Sequence, residues 1–165
     1  MPSPSTTPAT SRHCCFLVGG ECFAVESAGV TEVLRDGRIT RVPHAPEAVL
    51  GLLHLRGRIV PVIDMRRRLG FPAETVAGRT HLVLRVQDDW YSLLVDEMLD
   101  VVEVAANRIE HPSRPAADTP ADAVTGVLAD AGRLVHFLDP QRIVHSLARQ
   151  REPIQRRHGA SHGGS

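Results

Sequence analysis

Carboxylate, imidazole and thiol groups able to act in acid–base or nucleophilic chemistry are present at Asp64 and Asp139, His81 and His136, and Cys22. None lies in a G-x-S-x-G, phosphate-loop, H-E-x-x-H or C-x-x-C frame, so the residue types lack the spacing that would make them a catalytic set. Asp64 and Asp139 each end an apolar run, where a carboxylate can accept from the free amides of a following helix; a capping duty is expected of both. The chain is read as not an enzyme, with no cofactor and no metal. His158 and His162 have the four-residue spacing of helical metal ligands, but Gly159, Gly163 and Gly164 do not sustain a helix there.

A different chemistry is suggested by Arg66-Arg67-Arg68 and by Arg149, Arg151, Arg156 and Arg157, which could serve phosphates. The alternative they raise is a small-barrel nucleic-acid-binding protein. Against it stand 19 basic residues balanced by 19 acidic ones, and aromatics making up only 4% of the chain. Few rings are available for bases to stack on, and three adjacent helical arginines are expected to form a solvated face. Arg56, bounded by Gly57, presents a planar fork of donors on a turn, suited to bidentate contact with carboxylates or carbonyls of a partner protein.

The elements that must carry these groups are mostly short strands. Cys15 to Val18 and Cys22 to Val25 flank Gly19-Gly20-Glu21 as a hairpin; Val30 to Leu34 and Ile39 to Val42 follow, the latter stopped by Pro43. Pro46 to Leu53 has helix-compatible spacing and is expected to form a short helix. Ile59 to Asp64 reads as a strand, Met65 to Leu69 as a helical turn ended by Gly70, His81 to Val86 and Tyr91 to Val95 as a second hairpin, and Asp100 to Val104 as a strand. Pro112 to Asp122 reads as a loop. Residues 1–12 and 151–165 lack apolar periodicity and are expected to be disordered tails whose removal leaves the fold intact. Apolar runs are too short for a membrane span, and three Cys with Cys14 beside Cys15 argue for reduced thiols in a cytoplasmic protein.

A shift of 75 lays Gly51 to Asp64 on Gly126 to Asp139 with six of fourteen positions identical. A shift of 71 lays Cys22 to Val25 on Leu93 to Asp96, and Val30 to Val33 on Val101 to Val104. The chain reads as two similar halves, about 14–70 and 80–147, within one domain of residues 13–150. The copies part most sharply where His54-Leu55-Arg56 meets Ala129-Asp130-Ala131, which makes that loop a candidate for a task of the first copy alone. Val30 and Val33 point to opposite sides if their segment is a strand, so one of them could join Glu32 in an exposed apolar spot with a charged edge.

Gly51 to Arg66, with its Leu-Arg-Gly turn, Pro-containing apolar strand and closing Asp-Met-Arg, resembles the signature of the CheW-like chemotaxis coupling proteins. Val42 to Pro46, Ser92 to Asp96 and Leu138-Asp139-Pro140 fall in family order. The resemblance implies an all-β fold of two SH3-like five-stranded barrels packed side by side, with short helices. It also implies a non-catalytic cytoplasmic adaptor between the tips of methyl-accepting chemoreceptors and the regulatory domain of the histidine kinase CheA, without nucleic acid or direct membrane insertion. Carried onto this sequence, Arg56 and Gly57 match the pair associated with partner binding, and Val30, Glu32 and Val33 match the docking strand. His54 stands in place of the usual Asn, and Ser92 where Gly is common.

Overall fold

Alternating apolar residues and closely spaced turn signals give short strands that must pair in both directions, and the computed structural model, which describes residues 8–75, 78–112 and 120–149, is built from them. The order is β1 (Thr10–Val18), β2 (Glu21–Glu26), β3 (Val30–Leu34), β4 (Ile39–Thr40), β5 (Val49–Leu55), β6 (Arg58–Asp64), α1 (Met65–Arg68), β7 (Thr80–Val86), β8 (Asp89–Val95), β9 (Glu97–Ala105), β10 (Val124–Asp130), β11 (Arg133–Leu138) and α2 (Pro140–Arg149). One sheet runs β3-β7-β8-β6-β5-β4 and the other β10-β11-β2-β1-β9. They form two SH3-like barrels, called first and second below.

The barrels do not coincide with the sequence halves 14–70 and 80–147. The hairpin β1–β2 leaves the first half to pair β9 antiparallel and β11 parallel. Reciprocally, β7–β8 pairs β3 antiparallel and β6 parallel. Each copy thus lends its opening hairpin to the other barrel. Both hairpins are apolar on both faces, so periodicity alone does not say which edge they join.

Matching hydrogen-bond registers also correct the offset of the first part of the repeat. Cys14↔Val25 in the second barrel answers Leu82↔Leu93 in the first, and Phe16↔Met98 answers Leu84↔Val30; the offset is 68, not 71. Both edge pairings carry a bulge just after the latter pair. The later part keeps the offset of 75: Asp64 N donates to Ala48 O at 2.8 Å and Asp139 N to Ala123 O at 3.0 Å. Both aspartates cap as expected, accepting from Arg66 N at 3.1 Å and Gln141 N at 3.0 Å.

Three cores follow from the alternation. Phe16, Val18, Phe23 and Val25 meet Leu82, Leu84, Leu93 and Val95 between the barrels, joined by Met65 and by Ile143 of α2. Inside the first barrel lie Leu53, Val60, Val62, Val83 and Leu94, and inside the second Cys15, Cys22, Ala24, Leu128 and Phe137. Cys14, Cys15 and Cys22 are all free thiols and all buried.

Other expectations change. Pro46 to Leu53 is not a helix: a turn with Val49 N donating to Pro46 O at 2.9 Å leads into β5, which lies between β4 and β6. The spacing of Val49, Leu50, Leu52 and Leu53 fits a helix, but a bulge between Val49 and Gly51 lets a strand use the same residues, and Gly51 packs against Thr40 O so closely that a Cβ would lie 2.4 Å from it. Pairing stops at Thr40, short of Val42. The N-terminal boundary at 12 falls inside β1, since Thr10, Ser11 and Arg12 pair Ala105, Val104 and Glu103. Most of the loop expected over 112–122, and residues 1–7 and 151–165 with His158 and His162, lie outside the described residues.

Asp96, at the crossing from β8 to β9, ties the two barrels together. Its carboxylate accepts from Arg66 Nε at 2.8 Å and Nη2 at 2.7 Å, and from the amide of Gly19 in the β1–β2 turn at 2.9 Å. Burial pushes the carboxyl upward, but the Arg66 bonds, the Gly19 amide and the charges of Arg66 and Arg79 outweigh it and hold its pKa below the ordinary value. Since the folded pKa is depressed, this stabilisation is present above the ordinary carboxylate pKa and is lost as pH falls through the folded one.

Three outcomes are expected. Asp96→Asn lowers stability by about 2–4 kcal/mol at pH 7 in urea melts, and the gap to the parent narrows as pH falls below about 4; a gap constant with pH would show that the charge is not what Asp96 contributes. Deleting residues 1–8 leaves the melting temperature unchanged, whereas deleting 1–12 lowers it by about 3–10 °C through lost ladder bonds, and equal melting of both truncations would count against that pairing. The third concerns His81 and its repeat equivalent His13. His81 Nδ1 lies 2.9 Å from the hydroxyl of buried Ser92, but Nδ1 of buried His13 has no partner among the described residues, because Ala24 replaces the serine. Ala24→Ser supplies that partner and is expected to raise the urea midpoint by an amount equivalent to about 0.5–1 kcal/mol; a fall would show that the site has no room for the hydroxyl.

Candidate partner-binding surface

The turn between β5 and β6 places two consecutive residues at positive φ, Arg56 at 49° and Gly57 at 78°. Such turns match the right-handed twist of a hairpin and favour Asn or Gly at both places. Space does not demand glycine at position 57, where a Cβ would meet nothing within 4 Å; the backbone angle does. The second copy repeats the angles at Ala131 (49°) and Gly132 (78°), so the turn is common to both barrels and the long side chain is private to the first.

That side chain reaches β3. Arg56 Nη2 donates to Glu32 Oε1 at 3.1 Å, joining two of the residues singled out in the sequence and pinning the hairpin end against the barrel's edge strand. The arginine is paired rather than free, yet its side chain is 80% exposed while that of Glu32 is 23% exposed. Val33, beside Glu32, is 47% exposed. Val30 departs from the expected docking role: it packs against the core between the barrels, with its strand bulged between Val30 and Glu32. The two valines do not point to opposite sides as expected: the bulge cancels the alternation, so Val30 pairs Leu84 and Val33 pairs Leu82, alternate residues of β7, and both lie on one face of the sheet.

His54 is exposed on β5 and faces Ile59 across the hairpin. Ile59, 62% exposed, is an apolar surface residue of this hairpin that the sequence reading missed. Parity could have found it: Val60 and Val62 point into the barrel, so Ile59 and Pro61 must point out. Next to it, the Arg58 guanidinium lies 4.5 Å over the Trp90 ring. Ser92 is fully buried against His81 and does not reach this surface.

The remaining chemistry is committed to structure. His81 and Ser92 resemble a base–nucleophile pair, but both are buried, and burial followed by the charge of Arg79 lowers the His81 pKa. Burial and the neighbouring Cys22 push the Cys15 thiol up to about 11, the reverse of an activated nucleophile. Arg66, Arg67 and Arg68 do not form the expected solvated face. Arg66 grips Asp96, Arg67 reaches Glu47 O at 3.3 Å, and Arg68 is buried with Nη2 2.6 Å from Asp122 Oδ1. A four-residue helix packed between two barrels has little outward face to offer.

Comparison with known proteins agrees with this arrangement. Residues 12–148 match the family model described as the CheW-like domain. The chain is 32% identical over 136 residues to the chemotaxis protein CheW of Rhizobium meliloti, covering 82% of this chain and 88% of that protein. It is 29% identical over 140 residues to protein FrzA of Myxococcus xanthus, covering 83% and 86%. In three dimensions it resembles the scaffolding protein TtCheW of Thermoanaerobacter tengcongensis with a TM-score of 0.74 at 25% identity, covering 83% of this chain and 92% of that one. With two hairpin-exchanging barrels, a paired arginine exposed on the turn of one of them, and Asp64, Asp139, His81 and the three thiols held in structural roles, the chain belongs to the CheW-like family of non-catalytic chemotaxis scaffolding proteins.

Proposed function

We propose that the protein is the cytoplasmic adaptor that couples the tips of methyl-accepting chemoreceptors to the regulatory domain of the histidine kinase CheA at receptor arrays. The observation that carries this reading is the exposed Arg56–Glu32 pair beside Val33 on the first barrel. An exposed ion pair contributes about 0–1 kcal/mol to its own fold, so both charges can be given up to a partner at little cost. Val33 and Ile59 supply apolar area near the charges, and Gly57 fixes the turn that presents the guanidinium. His54, where the family more often has Asn, keeps a hydrogen-bonding side chain on the same hairpin. Among the described residues no helix is long and apolar enough to cross a membrane, in keeping with attachment through receptors.

Arg56→Glu tests the assignment. It places like charges side by side on an exposed turn, so the change in stability should stay below about 1 kcal/mol. Affinity for the receptor tip or the kinase regulatory domain of the same genome, measured by calorimetry, should fall about thirtyfold or more. The double exchange Arg56→Glu with Glu32→Arg restores an internal pair but not the partner contacts, so binding should remain weak. Recovery by the double exchange would reduce the pair to a structural role, and wild-type affinity of Arg56→Glu for both partners would place the interface elsewhere.

A further inference from the structure

The internal repeat shows what is missing from the second barrel. In the first barrel Trp90 packs against the interior cluster at the open end, with Arg58 stacked on its ring. At the register offset of 68 its counterpart is Cys22, and the counterpart of Val83 is Cys15; at the offset of 75 Leu55 is answered by Asp130 and Arg58 by Arg133. Large residues have become small ones on the floor, and one apolar residue has become charged at the mouth. In the same place the second barrel has an open pocket of about 200 Å³, with Cys15, Cys22, Leu128 and Phe137 among its lining residues. A cavity of roughly 150 Å³ is enough to hold benzene.

We propose that this pocket recognises one aromatic side chain of a partner protein segment that carries basic residues next to it. The ring takes the place that Trp90 fills in the other barrel. Arg133 also lines the pocket and is the counterpart of the guanidinium that stacks on Trp90, so a cation–π partner stands ready. Asp100, Glu103 and Asp130 supply three carboxylates at the lining against the two guanidiniums of Arg108 and Arg133. Arg108 approaches Asp130 at 4.0 Å, and no ion pair holds Asp100 or Glu103 among the described residues. Their surplus negative charge favours cations flanking the incoming ring. The site lies on the other barrel from Arg56, goes beyond the adaptor reading, and can be tested without receptor or kinase.

The full-length protein, labelled with ¹⁵N, is titrated with three capped tripeptides: Lys-Trp-Lys, Lys-Ala-Lys and Glu-Trp-Glu. The expected result is saturable shifts of the Cys22, Leu128 and Phe137 amides by Lys-Trp-Lys with a Kd on the order of 1 mM or tighter, at least tenfold weaker binding of the alanine peptide, and weaker binding of the acidic one. Cys22→Trp, which installs the first barrel's own stopper, should abolish the shifts in a folded protein. If that variant does not fold, the rim decides: Arg133→Gln should weaken the tryptophan peptide about two- to fivefold, and Asp100→Asn should narrow the gap between the basic and acidic peptides. Absence of shifts on the pocket floor, equal binding of the alanine peptide, or unchanged binding in both rim variants would overturn the proposal.

Discussion

The opening hairpin of each copy, apolar on both faces, has to be covered on both, and that requirement organises the molecule. Phe16, Val18, Phe23 and Val25 on one hairpin, and Leu82, Leu84, Leu93 and Val95 on the other, form a common core, while the alternate residues of the same strands fill the two barrel interiors. Because each hairpin also pairs with strands of the other copy, neither barrel can form from its own half of the chain. Asp96 stands where the chain crosses between barrels, and its bonds to Arg66 and Gly19 fix the crossing to the hairpin tip and to α1. A charge network at such a place adds little to a count of contacts but specifies one arrangement.

Duplication makes the protein its own control. The same turn, with the same positive φ angles, carries Arg56 in one barrel and Ala131 in the other, so the backbone geometry serves the barrel and the guanidinium serves something outside it. Buried His81 has Ser92 as a partner, and its counterpart His13 faces Ala24 and has none at Nδ1 among the described residues. Trp90 lies at the open end of one barrel, and Cys22 leaves room in the other. Differences of this kind, at positions whose backbone surroundings match, separate what a barrel needs from what a surface offers.

A coupling surface built on an exposed ion pair and single apolar residues suits reversible association. The Arg56–Glu32 pair is too exposed to contribute much to folding, and Val33 and Ile59 are too few to drive permanent burial. Such a surface can gain affinity from a complementary partner while the fold beneath it stays unchanged.

Much of this was legible in the sequence by itself. Local rules placed the strands at Cys15 to Val18, Cys22 to Val25, Ile59 to Asp64 and Tyr91 to Val95, the glycine turns, and the capping duties of Asp64 and Asp139, because periodicity, positive φ and free amides are properties of neighbouring residues. The marked turn at Arg56-Gly57 was legible for the same reason. Sequence patterns did not decide which hairpin joins which barrel, the offset of 68, or the bulge that makes Val49 to Leu55 a strand, since those depend on partners far along the chain. Nor could they decide that Arg56 meets Glu32, that Arg66 and Arg68 turn inward, or that Cys22 leaves a pocket where Trp90 has a counterpart. A side chain's partner is set by what folding brings within a few ångströms of it, and only the tertiary structure does that.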